Sequence, residues 1–263
     1  MNRQLRGALV NLGAYLHRIG YTGPLTPTAE TLRKLHVAHL TAVPLENFDI
    51  SRGCPIVLDE ARFFAKIVEQ RRGGLCYELN GLFAALLREL GFSVALLSAR
   101  VCDGKIIAEF DHLTLRVNLP DSSESWLADV GFGDGFFEPL RLVEDRDQRQ
   151  NETVYRLTRD AHRWFNARLQ DGEWNLLYDF TLQPHELGEF AGMCEYHQTS
   201  PDSAFTRRRI CSRATPTGRI TLAGMRLIQL DDGKREESLL QSEDEYRTML
   251  LRYFDIRLSS DGD

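Results

Sequence analysis

Cys76 has the most favourable setting in this sequence for a reactive side chain. It follows the pair Gly73-Gly74 and opens a segment in which apolar residues repeat at helical spacing. Those residues are Leu79, Leu82, Phe83, Leu86, Leu87 and Leu90, with Gly91 as the predicted stop. Free backbone N–H groups and the positive dipole end at a helix start favour thiolate over thiol. The pattern predicts a nucleophilic cysteine in or just before the first helical turn.

His112 and Asp129, which lie further along the chain, could complete this chemistry. His112 opens a segment (112–119) whose leucines and valine alternate with polar residues as on a half-buried strand, and it falls on the face opposite those leucines. Asp129 ends a short strand before a glycine-rich turn. A carboxylate among apolar neighbours needs a partner, because burying an unpaired charge is costly. Cysteine, a histidine base and an orienting carboxylate form the thiol version of a catalytic triad.

These residues lie in three motifs whose order and spacing resemble the arylamine N-acetyltransferase family. The nucleophile motif, Arg-Gly-Gly-x-Cys-x-Glu-x-Asn, is matched by residues 72–80. The histidine segment is matched by Asp111-His112-Leu113 and the aspartate segment by residues 129–133. Family patterns also occur at 15–24, 35–40 and 43–47. The resemblance is clear from about residue 10 to about residue 140 and weaker beyond.

The resemblance implies an α+β fold in three parts, with a triad arranged as in cysteine proteases. A helical bundle (1–91) would carry the cysteine and a central antiparallel β-barrel (92–183) would carry the histidine and the aspartate. The last part (184–263) would be an α/β lid with its connecting segment. The apolar period supports this order, because it is helical up to Gly91 and alternating after it.

The resemblance also implies acetyl-CoA-dependent acetylation of arylamines and hydrazines, and O-acetylation of N-arylhydroxylamines. The expected mechanism is ping-pong, through an acetyl group on Cys76, with His112 as base and Asp129 as orienter. No metal is expected, and the partners would be small aromatic molecules. The oligomeric state is left open.

The resemblance places aromatic-substrate contacts at Phe132, Val101 and Leu45, and many relatives have Phe at the position of Leu45. For Val101 and Leu45 ordinary core packing is an equal alternative. Gly131 and Gly133 could offer backbone N–H groups to the phosphates of the acyl donor, although a plain strand exit explains the same turn.

Three other functions remain open for the same residues. An amide synthase would close a large aromatic polyketide precursor on a carrier protein. A cysteine hydrolase or transglutaminase would take peptide carbonyls. A redox-sensing or scaffold protein would keep the fold without the reaction.

Composition limits the broad class. With 263 residues, 43% hydrophobic and 27% charged, the chain is typical of a globular protein, and its net charge of −6 disfavours nucleic-acid binding. It has no apolar stretch of membrane-spanning length and no signal-peptide core, so neither a membrane association nor export is expected. The five cysteines are odd in number and lack Cys-x-x-Cys pairing, which disfavours disulfides and zinc and suits the cytoplasm.

Patterning also predicts individual elements. Helices are expected near 9–19, from Thr26-Pro27, after Asp59 and after Ser242, and 183–205 should be helix and connection. Strands are expected at 93–102, 112–119, 125–130, 153–158, 163–169, 174–180, 207–213, 218–222 and 225–230. Turns are expected at Asp103-Gly104 and 231–233, and 144–151 is interpreted as a charged loop.

Two polar clusters have a structural and a functional interpretation. His36 and His39 lie at a spacing that metal sites also use, but without an acidic or cysteine partner they are interpreted as packing or surface residues. The basic run Arg207–Arg209 with Arg213 is typical of a solvated, ion-pairing face. It could instead attract the phosphates of a nucleotide-bearing ligand.

Overall fold

The N-terminal part of the chain is helical in the computed structural model, which describes residues 11–102 and 108–258. In chain order its elements are α1 (Leu12–Arg18), α2 (Ala29–Ala42), the two-residue strand β1 (Leu45–Glu46), α3 (Phe48–Ser51), α4 (Glu60–Phe64), a π-helical turn (Ala65–Glu69) and α5 (Cys76–Glu89). Side-chain oxygens of Asn11, Thr28 and Asp59 accept the backbone N–H three residues ahead, which caps α1, α2 and α4.

α5 is the central helix of this bundle. All its residues from Cys76 to Leu87 are buried, and it ends as predicted, before Gly91 with φ +95°. The prediction for α2 was wrong in detail. The helix is capped by Thr28 and begins at Ala29, so Thr26 and Pro27 both precede it.

The middle of the chain forms an eight-stranded antiparallel sheet that curls into a nearly closed barrel. Its strands are β2 (Ser93–Val101), β3 (His112–Asn118), β4 (Ser125–Ala128), β5 (Leu140–Arg141), β6 (Arg146–Gln150), β7 (Thr153–Asp160), β8 (Arg163–Gln170) and β9 (Glu173–Thr181). The strand order is β5-β4-β3-β2-β9-β8-β7-β6. The predicted strands are confirmed to within a few residues. The predicted turn at Asp103-Gly104 lies outside the described residues.

Two glutamine side chains of β6 bind the main chain of β5 and of the residues just before it. Gln148 accepts the Arg141 N–H at 2.8 Å and donates to the Arg141 carbonyl at 3.0 Å. Gln150 accepts the N–H groups of Phe137 and Glu138 and donates to the Glu138 carbonyl. The prediction of a charged loop over 144–151 was therefore wrong at 146–150. The inward positions of this strand are amides, so it shows no apolar alternation.

The C-terminal part combines a second sheet with helices. After a 3₁₀ turn (Leu187–Phe190), its elements are α6 (Ala191–Thr199), α7 (Ala204–Arg207), β10 (Ile210–Thr215), β11 (Gly218–Ala223), β12 (Arg226–Asp231), β13 (Lys234–Leu239) and α8 (Glu243–Phe254). The sheet order is β1-β10-β11-β12-β13, so a strand from the helical part pairs with the C-terminal sheet. Sequence patterning missed β13, because all six of its residues are exposed.

Three clusters of buried apolar residues hold these parts together. The largest packs α5 against the leucine face of β3, the second lies inside the barrel and the third joins α8 to the C-terminal sheet. The predicted α+β class, with helices, barrel and mixed C-terminal part in that order, is confirmed. The boundaries 1–91, 92–183 and 184–263 stay a prediction. Within the described ranges, no helix is long and apolar enough to cross a membrane.

Candidate active site

Three separate elements place Cys76, His112 and Asp129. Cys76 is the first residue of α5, His112 is the first residue of β3, and Asp129 directly follows β4. The imidazole Nε2 lies 2.6 Å from the Asp129 Oδ2. The exposed fraction of the surface is only 7% for Cys76, 3% for His112 and 2% for Asp129. The structure therefore brings a thiol, an imidazole and a carboxylate to the seam between bundle and barrel.

β3 sets the direction of the His112 ring. By strand alternation, Leu113 and Leu115 pack toward α5, and His112 lies on the opposite face, as predicted. There its ring contacts Phe132 and Tyr178 edge-on or tilted, with centroids 5.3 and 5.4 Å away. The expectation of a half-buried strand was wrong, since Thr114 on the His112 face is also fully buried. The barrel interior covers that face.

Asn80 fixes the orientation of Asp129. Its side-chain N–H₂ donates to Asp129 Oδ1 at 2.9 Å and to the Leu113 carbonyl at 2.6 Å. Its oxygen accepts the Val130 N–H at 2.8 Å, and the Gly131 N–H donates to Asp129 Oδ1 at 3.0 Å. Asn80 lies four residues after Cys76 and therefore on the same helix face. The four-residue spacing from Cys76 is the sequence signal that could have indicated this positioning role of Asn80, which the motif match alone did not identify.

The environment holds the His112–Asp129 pair in its charged form. Burial by itself lowers the pKa of His112, but the Asp129 carboxylate and the Cys76 sulfur more than offset this and raise it to about 10. Burial opposes the charge on Asp129 too, yet His112, Asn80 and Gly131 hold its pKa below the ordinary value. Because Asp129 occupies Nε2, the other ring nitrogen, Nδ1, is left for the thiol.

His36 contacts the same loop from α2. Its Nε2 lies 3.1 Å from the backbone nitrogen of Asp129, and its Nδ1 lies 3.0 Å from the carbonyl oxygen of Phe137. The residue is completely buried, which lowers its pKa to about 4 even though these hydrogen bonds oppose the shift. Packing, one of the two interpretations from sequence, is confirmed for both His36 and His39, since both are fully buried.

A buried network of ion pairs lies directly under the start of α5. Lys66 contacts Glu78 at 2.9 Å and Asp49 at 2.7 Å, and Arg72 contacts Glu46 at 2.8 Å and Asp49 at 2.9 Å. Glu78 also accepts the Leu75 N–H at 2.9 Å, which caps the helix that begins with Cys76. Lys66 reaches these carboxylates from the π-helical turn, a feature that is frequent near functional sites.

Glycines make the close approach of these elements possible. A Cβ on Gly73 would lie 2.0 Å from the Pro44 carbonyl oxygen, and one on Gly74 would lie 2.6 Å from Glu78. A Cβ on Gly131 would lie 2.7 Å from the Cα of Cys76. Gly131, a candidate for binding the acyl donor, therefore packs directly against the residue that carries the thiol.

The candidate substrate residues occupy different positions around this centre. Phe132 packs on His112, and Leu45 lies beside Gly133, whose added Cβ would be 3.9 Å from Leu45 Cδ2. Val101 is the last residue of β2 and pairs with Tyr178 of β9. Leu45 and Val101 are half-buried. Their roles, and those of Phe132, Gly131 and Gly133 toward ligands, stay predictions.

Among the described residues, two cavities border the barrel. One of about 410 Å³ lies between the barrel and the C-terminal sheet, and its wall includes Gly135, Arg168 and Arg219. The other, of about 700 Å³, lies beside Phe110 and His185. The wall of the 410 Å³ cavity includes residues 134–137, which belong to the loop that follows Asp129.

The basic run is partly engaged within the protein. Arg207 donates to the Asp202 carbonyl at 2.9 Å, and Arg209 pairs with Glu243 at the start of α8. The ion-pairing interpretation therefore holds for Arg209. Within residues 11–102 and 108–258, no group of three or more His, Cys, Asp or Glu side chains is arranged to hold a metal ion.

Together, fold and site define a class: α+β proteins with a buried Cys–His–Asp set between a helical bundle and an antiparallel barrel. The sequence model of a family described as N-acetyltransferase matches residues 28–262. The chain belongs to the arylamine N-acetyltransferase family, as the sequence motifs indicated.

Individual relatives resemble the chain over nearly its whole length. The arylamine N-acetyltransferase of Mycolicibacterium smegmatis is 35% identical over 255 residues, which cover 95% of this chain and 93% of the relative. The arylamine N-acetyltransferase / N-hydroxyarylamine O-acetyltransferase of Salmonella typhimurium is 34% identical over 238 residues, covering 87% and 82%. The solved structure of the Mycobacterium marinum arylamine N-acetyltransferase in complex with CoA superposes with a TM-score of 0.87 at 32% identity, covering 94% and 93%.

Proposed function

We propose that this protein transfers the acetyl group of acetyl-CoA to aromatic amines through an acetyl-cysteine at Cys76. The observation that carries the proposal is the buried His112–Asp129 pair, 2.6 Å apart, with the Cys76 sulfur beside the same imidazole. Family membership supplies the substrate class, since the relatives are named for arylamine acetylation.

In the first half-reaction, the Cys76 thiolate attacks the thioester carbonyl of acetyl-CoA. A bond forms between Cys76 Sγ and the carbonyl carbon, and the bond from that carbon to the CoA sulfur breaks. The His112 imidazolium gives its proton to the departing CoA thiolate. Asp129 keeps the ring oriented and stabilises its positive charge.

In the second half-reaction, the amine nitrogen attacks the acetyl-cysteine carbonyl. His112, now neutral, takes a proton from the nitrogen, and the Cys76 thiolate leaves to restore the starting state. Water competes with the amine for the same carbonyl. The deep burial of Cys76 and His112 limits that competition, because a site closed to solvent favours a bound acceptor over water.

The cavity of about 410 Å³ is the proposed place for the anionic end of the acyl donor. Its wall includes Asp134 and Gly135, which follow Gly131 and Gly133 in the same loop. Arg219 and Arg168 also lie in this wall, and Arg168 pairs there with Asp134 at 2.9 Å. Guanidinium groups and turn N–H groups are suitable partners for phosphates. The Mycobacterium marinum relative binds CoA, which supports the same donor here.

Phe132, Leu45 and Val101 are proposed to surround the ring of the acceptor. The packing of Phe132 on His112 supports this, because a ring held there would present its amine beside the base. The Salmonella relative supports N-hydroxyarylamines as additional acceptors. Hydrazines fit the same mechanism, since they also offer a neutral nucleophilic nitrogen.

Two further expectations accompany this proposal. A cytoplasmic location would preserve the thiol, and all five cysteines of the chain are free. The three-part division at residues 91 and 183 would place the reacting groups at the interface of the first two parts, a common position for ligand sites.

Intact-protein mass spectrometry after incubation with acetyl-CoA tests the proposal. We expect the gain of one acetyl group, its loss in Cys76→Ala and its retention in Cys54→Ala, where the replaced thiol is exposed. Addition of an aniline should remove the group and yield the acetanilide. Absence of acetylation together with cleavage of a peptide amide would indicate the hydrolase or transglutaminase instead. Acylation without transfer to simple anilines would favour the amide synthase.

A further inference from the structure

The His36 ring connects both ends of the loop that carries Asp129. Its Nε2 meets the Asp129 N–H at 3.1 Å, and its Nδ1 meets the Phe137 carbonyl at 3.0 Å. Between these two points lie Gly131, Phe132 and Gly133. One side chain of α2 therefore sets the separation between the start of this loop and its end.

The partners of His36 allow only one protonation state. The Asp129 N–H can only donate, so Nε2 must accept. The Phe137 carbonyl can only accept, so Nδ1 must carry the proton. A doubly protonated ring would place two N–H groups against each other at Asp129. The complete burial of His36 favours the same neutral form.

Aromatic neighbours fix the plane of the ring. Phe136 stacks on it with centroids 5.7 Å apart and an interplanar angle of 16°, and Phe83 of α5 meets it edge-on at 6.0 Å. Rotation that would break the bond to Asp129 is therefore opposed on two sides. α5 also carries Cys76, so the same helix supports both the nucleophile and His36.

We infer that His36 is a positioning residue for the reaction, which holds the Asp129 main chain so that the carboxylate meets His112. The inference rests on the proposed function, because it assigns His36 a part in that reaction. Asn80 positions the Asp129 carboxylate through its side chain, whereas His36 acts on its backbone. The two contacts come from different helices and fix different parts of the same residue.

The test compares substitutions that keep different halves of the contact. His36→Gln keeps an acceptor at the position of Nε2, His36→Asn keeps a donor at the position of Nδ1, and His36→Phe removes both. We expect the Cys76 acetylation rate at saturating acetyl-CoA to fall about tenfold or more in His36→Asn and His36→Phe, since small misplacements of catalytic groups have effects of this size. His36→Gln should recover most of the rate, and KM for acetyl-CoA should change little.

His39→Phe is the matched control. His39 is equally buried on the same helix, but its Nδ1 contacts the Tyr15 hydroxyl rather than the loop of Asp129. It should change the unfolding free energy without slowing acetylation. If His39→Phe slows acetylation as much as His36→Phe, general loosening of α2 explains the effect and the inference is wrong.

A spectroscopic measurement separates positioning from folding. The deshielded proton between His112 and Asp129 should shift or broaden in His36→Asn and His36→Phe and return in His36→Gln. An unchanged proton and an unchanged rate in His36→Asn would overturn the inference. If the wild type takes no acetyl group, the proposed function fails, while this proton and iodoacetamide alkylation of Cys76 still test the positioning role. Should His36→Phe not fold, the Gln and Asn variants carry the comparison.

Discussion

The Lys66 ammonium lies 2.9 Å from Glu78 Oε1, so a buried ion pair is located two residues from Cys76 along α5. The Lys66 side chain is 11% exposed and that of Glu78 only 4%. The pair joins the π-helical turn to the first turn of the nucleophile helix. Packing alone does not hold the helix start; it also depends on charges that must remain matched.

Removing one member of this pair should destabilise the protein strongly. In Lys66→Met, the buried Glu78 carboxyl group would lose its ammonium partner, and we expect the unfolding free energy to fall by about 3–5 kcal/mol. The double variant Lys66→Met with Glu78→Gln should recover part of this loss. Urea unfolding measures both. Lys34→Met, which removes the exposed pair with Glu30, should leave the unfolding free energy nearly unchanged, because solvent screens that pair. Equal losses at the two lysines would contradict the role of burial.

Gly131→Ala should disturb the site, whereas Gly133→Ala should leave the stability of the protein unchanged. The added methyl group at Gly131 would lie 2.7 Å from the Cα of Cys76, which forces main chain apart, so we expect a loss of about 3 kcal/mol and slower acetylation. At Gly133 the nearest atom would be 3.9 Å away, which is ordinary contact, and the change should stay within about 0.5 kcal/mol. Thermal or urea unfolding of both variants gives the comparison.

Asp129→Asn should reduce Cys76 acetylation by about ten-thousandfold, as loss of the orienting carboxylate does in serine-type triads. The amide can no longer stabilise an imidazolium at His112. The rate of acetylation by rapid mixing and mass spectrometry measures the effect. Asp179→Asn is the control, because Asp179 is equally buried but pairs with Arg100 at 2.8 Å. It should lower stability and leave the reaction intact. Near-normal activity in Asp129→Asn would refute the orienter role.

Acid should weaken the fold through His36. Its pKa is about 4 in the folded protein and near 6.5 in an unfolded chain, so the unfolded state takes up the proton first. The contribution of neutral His36 to the unfolding free energy is therefore complete above about pH 6.5. It is lost as the pH falls toward about 4, at about 1.4 kcal/mol per pH unit. We expect the unfolding free energy, measured with urea at several pH values in this range, to change less per pH unit in His36→Gln than in the wild type. Identical slopes would contradict this prediction.

The sequence predicts the triad because its residue types are chemically distinctive and lie in recognisable local motifs. It predicts the order of the elements because apolar periodicity changes once, at Gly91. The role of His36 could not be predicted, since its partner is a backbone N–H 93 residues away, which any residue except proline would provide at position 129. β6 and β13 have no apolar face to reveal them, because Gln148 and Gln150 act through hydrogen bonds and β13 lies on the exposed sheet edge.

β1 contacts two distant parts of the chain through its main chain. Leu45 pairs with Ser212 of the C-terminal sheet on one side and forms a bridge with Gly74 on the other, two residues before Cys76. The main chain of β10 is thus connected through β1 to the peptide that precedes Cys76, without any side chain in between. Truncations or tags that disturb the C-terminal sheet should consequently change the reactivity of Cys76, which lies more than a hundred positions earlier in the chain.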